Sequence, residues 1–193
     1  SKNTISDLKA MISNGCAEVI ADSAHRGVAV VGICGGYQML GLTVDDPEGI
    51  EGYPCAQEGL GLLPIRTSLK GEKVVRRVKF SMDGCPDLCE GYEVHNGETY
   101  MEPGAFQPIT REDGTRDGCV AGNIFGSYMH GILDNIAVID YLLKPYEAKK
   151  GLPESGEIES YRDFKDRQYN KLADRLRSYL NIDLLYEIMR KDD

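Results

Sequence analysis

An apolar run that ends in a glycine-rich turn constrains the fold of this chain more than any other feature. Residues 28–33 carry no polar side chain, which is typical of a strand buried on both faces in a parallel sheet. Residues 35–41 follow at once, and two leading glycines ahead of apolar residues favour a short helix. Because parallel strands are joined by crossover connections that are usually helices, this succession predicts an α/β domain.

The rest of the chain alternates helical and extended patterns. Apolar residues at helical spacing predict helices at 5–14, 17–25, from 135 onward, 161–180 and 182–189. Apolar and polar alternation between glycine turns predicts strands at 62–68, 73–82, 91–99, 105–110, 118–121 and 123–129. Thr4 or Ser6 is the expected N-cap of the first helix, Asp113-Gly114 predicts a hairpin turn, and Pro145 and residues 151–156 predict loops. The 193 residues therefore predict one α/β domain with a long antiparallel excursion.

Bulk properties argue against several classes of protein. The formal charge of −9 repels phosphate backbones, and no lysine or arginine cluster offsets it, so we expect no nucleic-acid partner. No apolar run approaches the roughly 18 residues that a membrane span needs, so we expect no membrane partner. The chain opens without a signal peptide, which favours a cytoplasmic location.

The six cysteines predict reduced thiols rather than a disulfide framework. A chain of this length, with this much apolar helical pattern, does not depend on disulfides for its stability. Cys85, Cys89, His95 and Cys119 can be drawn as a zinc site, but their spacing fits no usual pattern. We therefore predict no metal site.

One cysteine lies at the predicted junction of the buried strand and the short helix. Cys34 has a glycine two residues before it and another two residues after it, which is typical of a nucleophile elbow. Such a turn strains the backbone, and the glycines let the strand and the helix approach each other. At a helix N-terminus we expect the macrodipole to lower the pKa of the thiol and the free N–H groups to receive an oxyanion. A buried structural cysteine is the alternative, and the elbow pattern favours the nucleophile.

A thiolate nucleophile needs a proton carrier, and the chain has three histidines. His25 lies in a basic step before the strand and is predicted to be a surface residue. His95 and His130 both lie at the ends of predicted strands, where α/β proteins place their chemistry. Residue type and position leave the choice between these two open.

Several motifs together resemble a known family. Residues 32–41, 91–97 and 128–132 read GICGGYQMLG, GYEVHNG and YMHGI. In this order they are similar to the triad-type (class I) glutamine amidotransferase domain of cobyric acid synthases, and so are Ser1-Lys2-Asn3-Thr4 and residues 172–176. The first motif alone is shared by several related amidotransferases, whereas the whole set is more specific. The resemblance runs essentially end to end and implies a flavodoxin-like class I fold with a mostly parallel sheet.

The resemblance implies roles for the reacting residues. Cys34 matches the nucleophile and His130 matches the general base and acid. Triad amidotransferases usually carry glutamate two residues after the histidine, where this chain has Ile132. Since the cobyric acid synthase group also lacks it, a Cys–His dyad is expected. Asp134 and Glu93 are then candidates for orienting the imidazole.

The same resemblance assigns residues to the glutamine pocket. Gln38 matches a side chain that holds the substrate glutamine, and the Gly35 N–H matches one oxyanion donor. Tyr128 lies where backbone groups of the family line the pocket. His95 belongs to a recurrent motif of the family without an assigned role, and a structural or acceptor-side part is expected for it.

The resemblance also implies a reaction and partners. The domain would hydrolyse glutamine through a cysteine thioester, without a cofactor of its own, and pass ammonia to a synthetase domain in the same or a separate chain. That domain would use ATP and Mg²⁺ to amidate carboxylates of a corrinoid, adenosylcobyrinic acid a,c-diamide, in cobalamin biosynthesis. Here no G-x-x-x-x-G-K-[ST] loop occurs, and the family's additional N-terminal strands, with a glycine just ahead of Ser1, are missing. We therefore expect residues 1–193 to be the glutaminase domain from the C-terminal part of a larger synthase.

Three other functions share part of this pattern. A related amidotransferase that acts on another carboxylate, such as a peptidoglycan precursor, would share the first motif. A thiol hydrolase of the α/β-hydrolase type shares the G-x-C-x-G pattern. A degenerate amidotransferase domain that serves only for docking is the non-enzymatic alternative.

Overall fold

The computed structural model describes residues 1–151 and 159–190, so that residues 152–156 of the predicted loop lie outside the described part. The helices are α1 (Thr4–Ser13), α2 (Cys16–His25), α3 (Gly35–Leu40), a 3-10 helix (Ile132–Asp134), α4 (Ile136–Lys150), α5 (Tyr161–Tyr179) and α6 (Ile182–Met189). The strands are β1 (Val30–Ile33), β2 (Thr43–Asp46), β3 (Cys55–Glu58), β4 (Ile65–Met82), β5 (Cys85–Met101), β6 (Ile109–Arg111), β7 (Arg116–Asp117), β8 (Cys119–Ala121), β9 (Ile124–Ser127) and β10 (Met129–His130). The predicted helices are confirmed within one or two residues at each end.

The strands form two sheets, and their pairing confirms the predicted α/β class. The small sheet has the order β1-β9-β8, with β1 and β9 parallel. The large sheet has the order β10-β5-β4-β2-β3, with β2 and β4 parallel and with β6 paired to β4 and β7. The long hairpin of β4 and β5 is the predicted antiparallel excursion. The strands predicted at 62–68 and 73–82 belong to one strand, whose register shifts between Ser68 and Lys73.

The strand predicted at 123–129 divides between the two sheets. β9 ends at Ser127 in the small sheet, and β10 begins at Met129 in the large sheet, opposite Glu93 of β5. Tyr128 lies between them with its ring in the core, next to Tyr37. The chain thus crosses from one sheet to the other within a single residue.

Three local predictions are wrong. Asn3, rather than Thr4 or Ser6, caps α1, because its side chain accepts the N–H of Ser6. Pro145 lies inside α4 instead of marking a loop, so the helix continues past a residue that lacks the backbone N–H. β1 is not buried on both faces, since Val31 is 39% exposed. Among the described residues β1 pairs only with β9 and forms the edge of its sheet, which leaves that side chain uncovered.

Gly32 brings β1 and α3 into contact. A Cβ on Gly32 would lie 2.8 Å from the carbonyl oxygen of Gly36 and 2.5 Å from Cδ1 of Leu40. Gly126, opposite Gly32 in the parallel pair, is needed in the same way because its Cβ would overlap the ring of Tyr37. Nothing lies within 4 Å of the Cβ position of Gly36. The prediction that both glycines around Cys34 are needed for close approach is confirmed for Gly32 and wrong for Gly36.

Gly32 and Gly36 form a matched pair for substitution. Gly32→Ala is expected to lower the free energy of unfolding by about 1–3 kcal/mol, because the backbone of Gly36 must move. Gly36→Ala, in open space within a helix, is expected to raise it by up to about 1 kcal/mol through helix propensity. Urea unfolding followed by circular dichroism measures both changes. Equal losses in the two variants would contradict this account of the junction.

Candidate active site

Cys34 has the strained backbone of a nucleophile elbow. Its φ of 55° and ψ of −114° make it the one non-glycine residue with positive φ among residues 1–151 and 159–190. It occupies the N-cap position of α3, and its N–H donates to the carbonyl oxygen of Ser127 at 2.9 Å. Such a conformation costs on the order of 1–3 kcal/mol and persists where the surroundings hold it. The predicted strand–cysteine–helix junction is therefore present.

The Cys34 thiol is neutral in this environment. It lies 3.5 Å from the carbonyl oxygen of Val94, to which its S–H donates. Burial raises the pKa of Cys34, and this outweighs the lowering by the Gly35 N–H and by Lys73. The expected lowering of the pKa is wrong, because α3 has only six residues and the thiol lies partly buried against β5. A base is therefore needed to form the thiolate.

His130 comes to the same stretch of β5 as Cys34. It pairs with Tyr92 in the β10–β5 ladder, and its ring stacks on the Tyr92 ring with centroids 5.1 Å apart. Val94, whose carbonyl receives the Cys34 thiol, lies two residues further along β5. Nε2 of His130 is buried and has no hydrogen-bond partner within the described part of the chain. The imidazole thus keeps a nitrogen available for proton transfer.

The two carboxylates considered for orienting His130 are held elsewhere. Glu93 is fully buried, and its oxygens accept from Arg76 Nε at 2.5 Å and from Arg111 Nη2 at 2.5 Å. Asp134 lies 3.9 Å from Lys165. The structure brings neither carboxylate into a hydrogen bond with the His130 imidazole in the described residues.

Gln38 lies at the centre of a buried hydrogen-bond cluster. Its Oε1 accepts from the Thr4 hydroxyl at 3.0 Å, and its Nε2 donates to the Asn96 carbonyl at 3.0 Å and to the Tyr128 hydroxyl at 3.1 Å. The side chain is 2% exposed. In this conformation Gln38 joins α1, β5 and the crossover between β9 and β10. Its predicted role in holding glutamine stays a prediction.

His95 and Tyr128 form a stacked pair behind that cluster. Their ring centroids lie 3.7 Å apart, and His95 Nδ1 donates to the Gly97 carbonyl at 3.2 Å. Burial lowers the pKa of His95, so the ring is neutral near pH 7. Burial also raises the pKa of Tyr128, whose hydroxyl contacts Thr99 at 2.5 Å. Both rings line a polar cavity of about 590 Å³, on the face of β5 that also carries Glu93.

A second, open groove of about 1220 Å³ runs along β5 past Tyr92 and Gly131. Gly131 directly follows His130, but the lining of this groove includes neither His130 nor Cys34. Gly35 and Gly36 open α3 next to Cys34, and the space around Gly36 is free.

All six cysteines are free, and burial raises the pKa of Cys89 and Cys119 to about 11. Within the described ranges no group of three or more metal-binding side chains comes together. None of the described helices is long and apolar enough to cross a membrane.

Sequence reasoning missed a set of buried polar residues next to the candidate pair. Ser127 and Asp117 are buried and hydrogen-bonded to each other at 2.6 Å, and Arg111 lies 3.2 Å from Asp117. No local pattern distinguishes them, because Arg111 and Asp117 resemble any charged residues beside a hairpin turn. Their significance depends on contacts that only the fold creates.

Comparison with known proteins identifies relatives over the whole chain. Residues 1–138 match the family described as the CobB/CobQ-like glutamine amidotransferase domain. The cobyric acid synthases of Phocaeicola vulgatus and Bacteroides fragilis are 49% and 43% identical, each over 100% of this chain and 39% of their own length. A crystal structure of a glutamine amidotransferase, 15% identical, aligns with a TM-score of 0.55 over 73% of each chain and shows the shared fold. The chain thus spans about 39% of the length of these curated relatives.

The raised pKa of Cys34 predicts slow alkylation in the folded protein. Near neutral pH the folded thiol holds less thiolate than the same thiol in the urea-unfolded chain, so iodoacetamide is expected to modify it more slowly. The half-maximal rate is expected at a higher pH in the folded protein. Peptide mass spectrometry separates Cys34 from the other five cysteines. A half-maximal pH below that of the unfolded chain would show that the thiolate is stabilised instead.

Proposed function

The chain belongs to the family of CobB/CobQ-like glutamine amidotransferase domains, and from this membership we propose that Cys34 is its nucleophile and His130 its general base and acid. The observation that carries the proposal is the strained elbow at Cys34, with His130 brought to the same stretch of β5. A glutamine amidotransferase domain is the hydrolytic half of an amide-forming enzyme. The substrate of this half is glutamine.

The first half-reaction forms the thioester. His130 removes the proton of the neutral Cys34 thiol, and the sulfur attacks the side-chain carbonyl carbon of glutamine. The Gly35 N–H at the start of α3 donates to the oxyanion that forms. When the C–N bond breaks, the imidazolium gives its proton to the leaving nitrogen. Ammonia departs, and the glutamyl group remains on Sγ.

The second half-reaction restores the thiol. His130 removes a proton from a water molecule, which attacks the thioester carbonyl. The oxyanion again accepts the Gly35 N–H, the C–S bond breaks, and Sγ takes back a proton from the imidazolium. Glutamate leaves the site. Each N–H that donates to the oxyanion is typically worth about 10²–10³ in rate.

The acceptor reaction is proposed for a longer polypeptide. Because the relatives are cobyric acid synthases of about two and a half times this length, we place residues 1–193 in such a synthase. Its remaining part would be the ATP- and Mg²⁺-dependent synthetase that uses the ammonia to amidate corrinoid carboxylates, in cobalamin biosynthesis. Free cysteines throughout the chain favour a cytoplasmic location.

The surfaces of α5 and α6 are consistent with contact to the remaining part of such a synthase. Neither helix contains a buried residue, although both carry apolar side chains that are about half exposed, among them Leu172, Leu176, Leu184 and Ile188. The family match ends at residue 138, whereas the match to the synthases includes both helices. We propose that the apolar side chains of α5 and α6 pack against the remaining part of the synthase.

The assignment of the nucleophile predicts a single labelling site. A glutamine-like electrophile such as diazo-oxonorleucine is expected to modify Cys34, as read by peptide mass spectrometry, which requires no turnover. Cys34→Ala is expected to abolish both labelling and glutamate release. His130→Ala is expected to lower the rate about 10²–10⁴-fold, as loss of a general base does.

Exposed residues supply the controls for this experiment. Cys16→Ala and His25→Ala change exposed side chains and are expected to leave labelling and glutamate release unchanged. Labelling at another cysteine, or full glutaminase activity in Cys34→Ala, would overturn the assignment.

The docking of α5 and α6 predicts a difference in amide hydrogen exchange. Exchange in the segment corresponding to α5 and α6 is expected to be slow in the full-length Phocaeicola vulgatus synthase and fast in the present chain, because burial suppresses local opening. The core strand β9 serves as the internal control and should be protected in both proteins. Equally fast exchange of α5 and α6 in both would refute the docking.

A further inference from the structure

Resting on the proposed function, we infer that Ser127 and Asp117 are positioning residues that hold Cys34 and His130 in their relative placement. Neither residue belongs to the motifs that identify the family resemblance. Asp117 ends β7 where the chain passes from the large sheet to the small one, and Ser127 ends β9 where the chain passes back. The inference depends on the hydrogen bonds of Ser127 and on the ion pairs of Arg111 with Asp117 and Glu93.

Ser127 contacts both reacting segments. Its backbone carbonyl accepts the Cys34 N–H at 2.9 Å, and its hydroxyl oxygen accepts the Met129 N–H at 3.0 Å. Met129 directly precedes His130. One fully buried residue therefore connects the backbone of the nucleophile to the backbone next to the base. Among the described residues, only Ser127 accepts hydrogen bonds from both the Cys34 N–H and the Met129 N–H.

Asp117 fixes the direction of the Ser127 hydroxyl. Its Oδ2 accepts the hydroxyl proton at 2.6 Å, and Asp117 itself is 4% exposed. A hydroxyl has one proton and two lone pairs, so donation to Asp117 leaves the lone pairs for the Met129 N–H. Without this acceptor the hydroxyl could rotate and donate elsewhere.

Arg111 offsets the unfavourable burial of the Asp117 carboxylate and links the network to β5. It lies 3.2 Å from Asp117 Oδ1 and donates to Glu93 Oε1 through Nη2 at 2.5 Å and through Nε at 3.0 Å. A buried carboxylate is strongly unfavourable unless it is paired and hydrogen-bonded. Glu93 stands opposite Met129 in the ladder and precedes Val94, the carbonyl of which meets the Cys34 thiol.

The place of this network in the fold indicates a positioning role. β9 pairs with β1, the strand that directly precedes Cys34, in the small sheet, and β10 pairs with β5 in the large one. The crossover between β9 and β10 carries His130 from the first sheet to the second. Side-chain hydrogen bonds at Ser127 hold that crossover. A misplacement of about 1 Å between reacting groups can cost about 10²-fold in rate.

The test compares kcat and KM for glutamine hydrolysis in Ser127→Ala and Asp117→Asn, with the polypeptide in its full length. Both variants are expected to lower kcat about 10- to 100-fold while KM changes less than about threefold, because the reacting groups move and the glutamine pocket remains. The rate of Cys34 labelling by diazo-oxonorleucine is expected to fall in parallel with kcat. Asp117→Asn conserves shape, so it keeps the test decisive if Ser127→Ala does not fold.

Asp46→Asn is the matched control. Asp46 is also a buried carboxylate, but it accepts from the backbone N–H groups of Ile50 and Glu51 and contacts neither Cys34 nor His130. It is expected to lower the thermal midpoint without lowering kcat. Wild-type kcat in the Ser127 and Asp117 variants would overturn the inference, and so would an equal loss of kcat in Asp46→Asn.

The two levels of the proposal fail separately. If Cys34→Ala retains glutaminase activity, the proposed function is wrong whatever the Ser127 variants do. If Cys34→Ala is inactive and Ser127→Ala and Asp117→Asn are fully active, only the positioning inference is wrong.

Discussion

The strained backbone of Cys34 is the constraint on which the site depends. A residue with a side chain adopts φ of 55° only where its neighbours hold it, and here they act from both sides. The β1–β9 pair fixes the strand before Cys34, and Gly32 lets α3 begin directly against that strand. The carbonyl of Ser127 then accepts the Cys34 N–H at the turn itself. These contacts place the thiol at the end of β1 and at the N-terminus of α3.

Burial decides the state of this thiol. Burial raises the pKa of Cys34, and the sulfur lies against the Val94 carbonyl of β5. A neutral thiol at the proposed nucleophile requires a base, and Nε2 of His130 has no hydrogen-bond partner among the described residues. His95, by contrast, is stacked on Tyr128 and donates to the Gly97 carbonyl, so its ring is committed to the fold. Hydrogen bonding, and not position in the sequence, therefore supports the proposal of His130 rather than His95 as the base.

Predictions from local pattern succeeded where the structure is local. The junction of strand, Cys34 and helix, the hairpin at Asp113-Gly114 and the helices all follow from short stretches of sequence. The failures share a cause, since each depends on residues far away in the chain. Val31 is uncovered because of where β1 lies in its sheet, and the pKa of Cys34 rises because β5 folds over it. The family resemblance pointed to His130 as the base. Residue chemistry alone left the choice between His95 and His130 open.

The sequence by itself determined the class of fold, the elbow and the family to which the motifs point, because backbone strain and glycine spacing act between neighbouring residues. Only the tertiary structure decided the environment of those residues. Gln38 meets Asn96 and Tyr128, which lie 58 and 90 positions away, and Asp117 reaches Ser127 across a turn between sheets. Hydrogen bonding and burial depend on distance in space, so no local pattern contains them. The local sequence determines the elbow at Cys34. The fold determines the burial of its thiol and the hydrogen-bond network of Ser127 and Asp117 around the elbow.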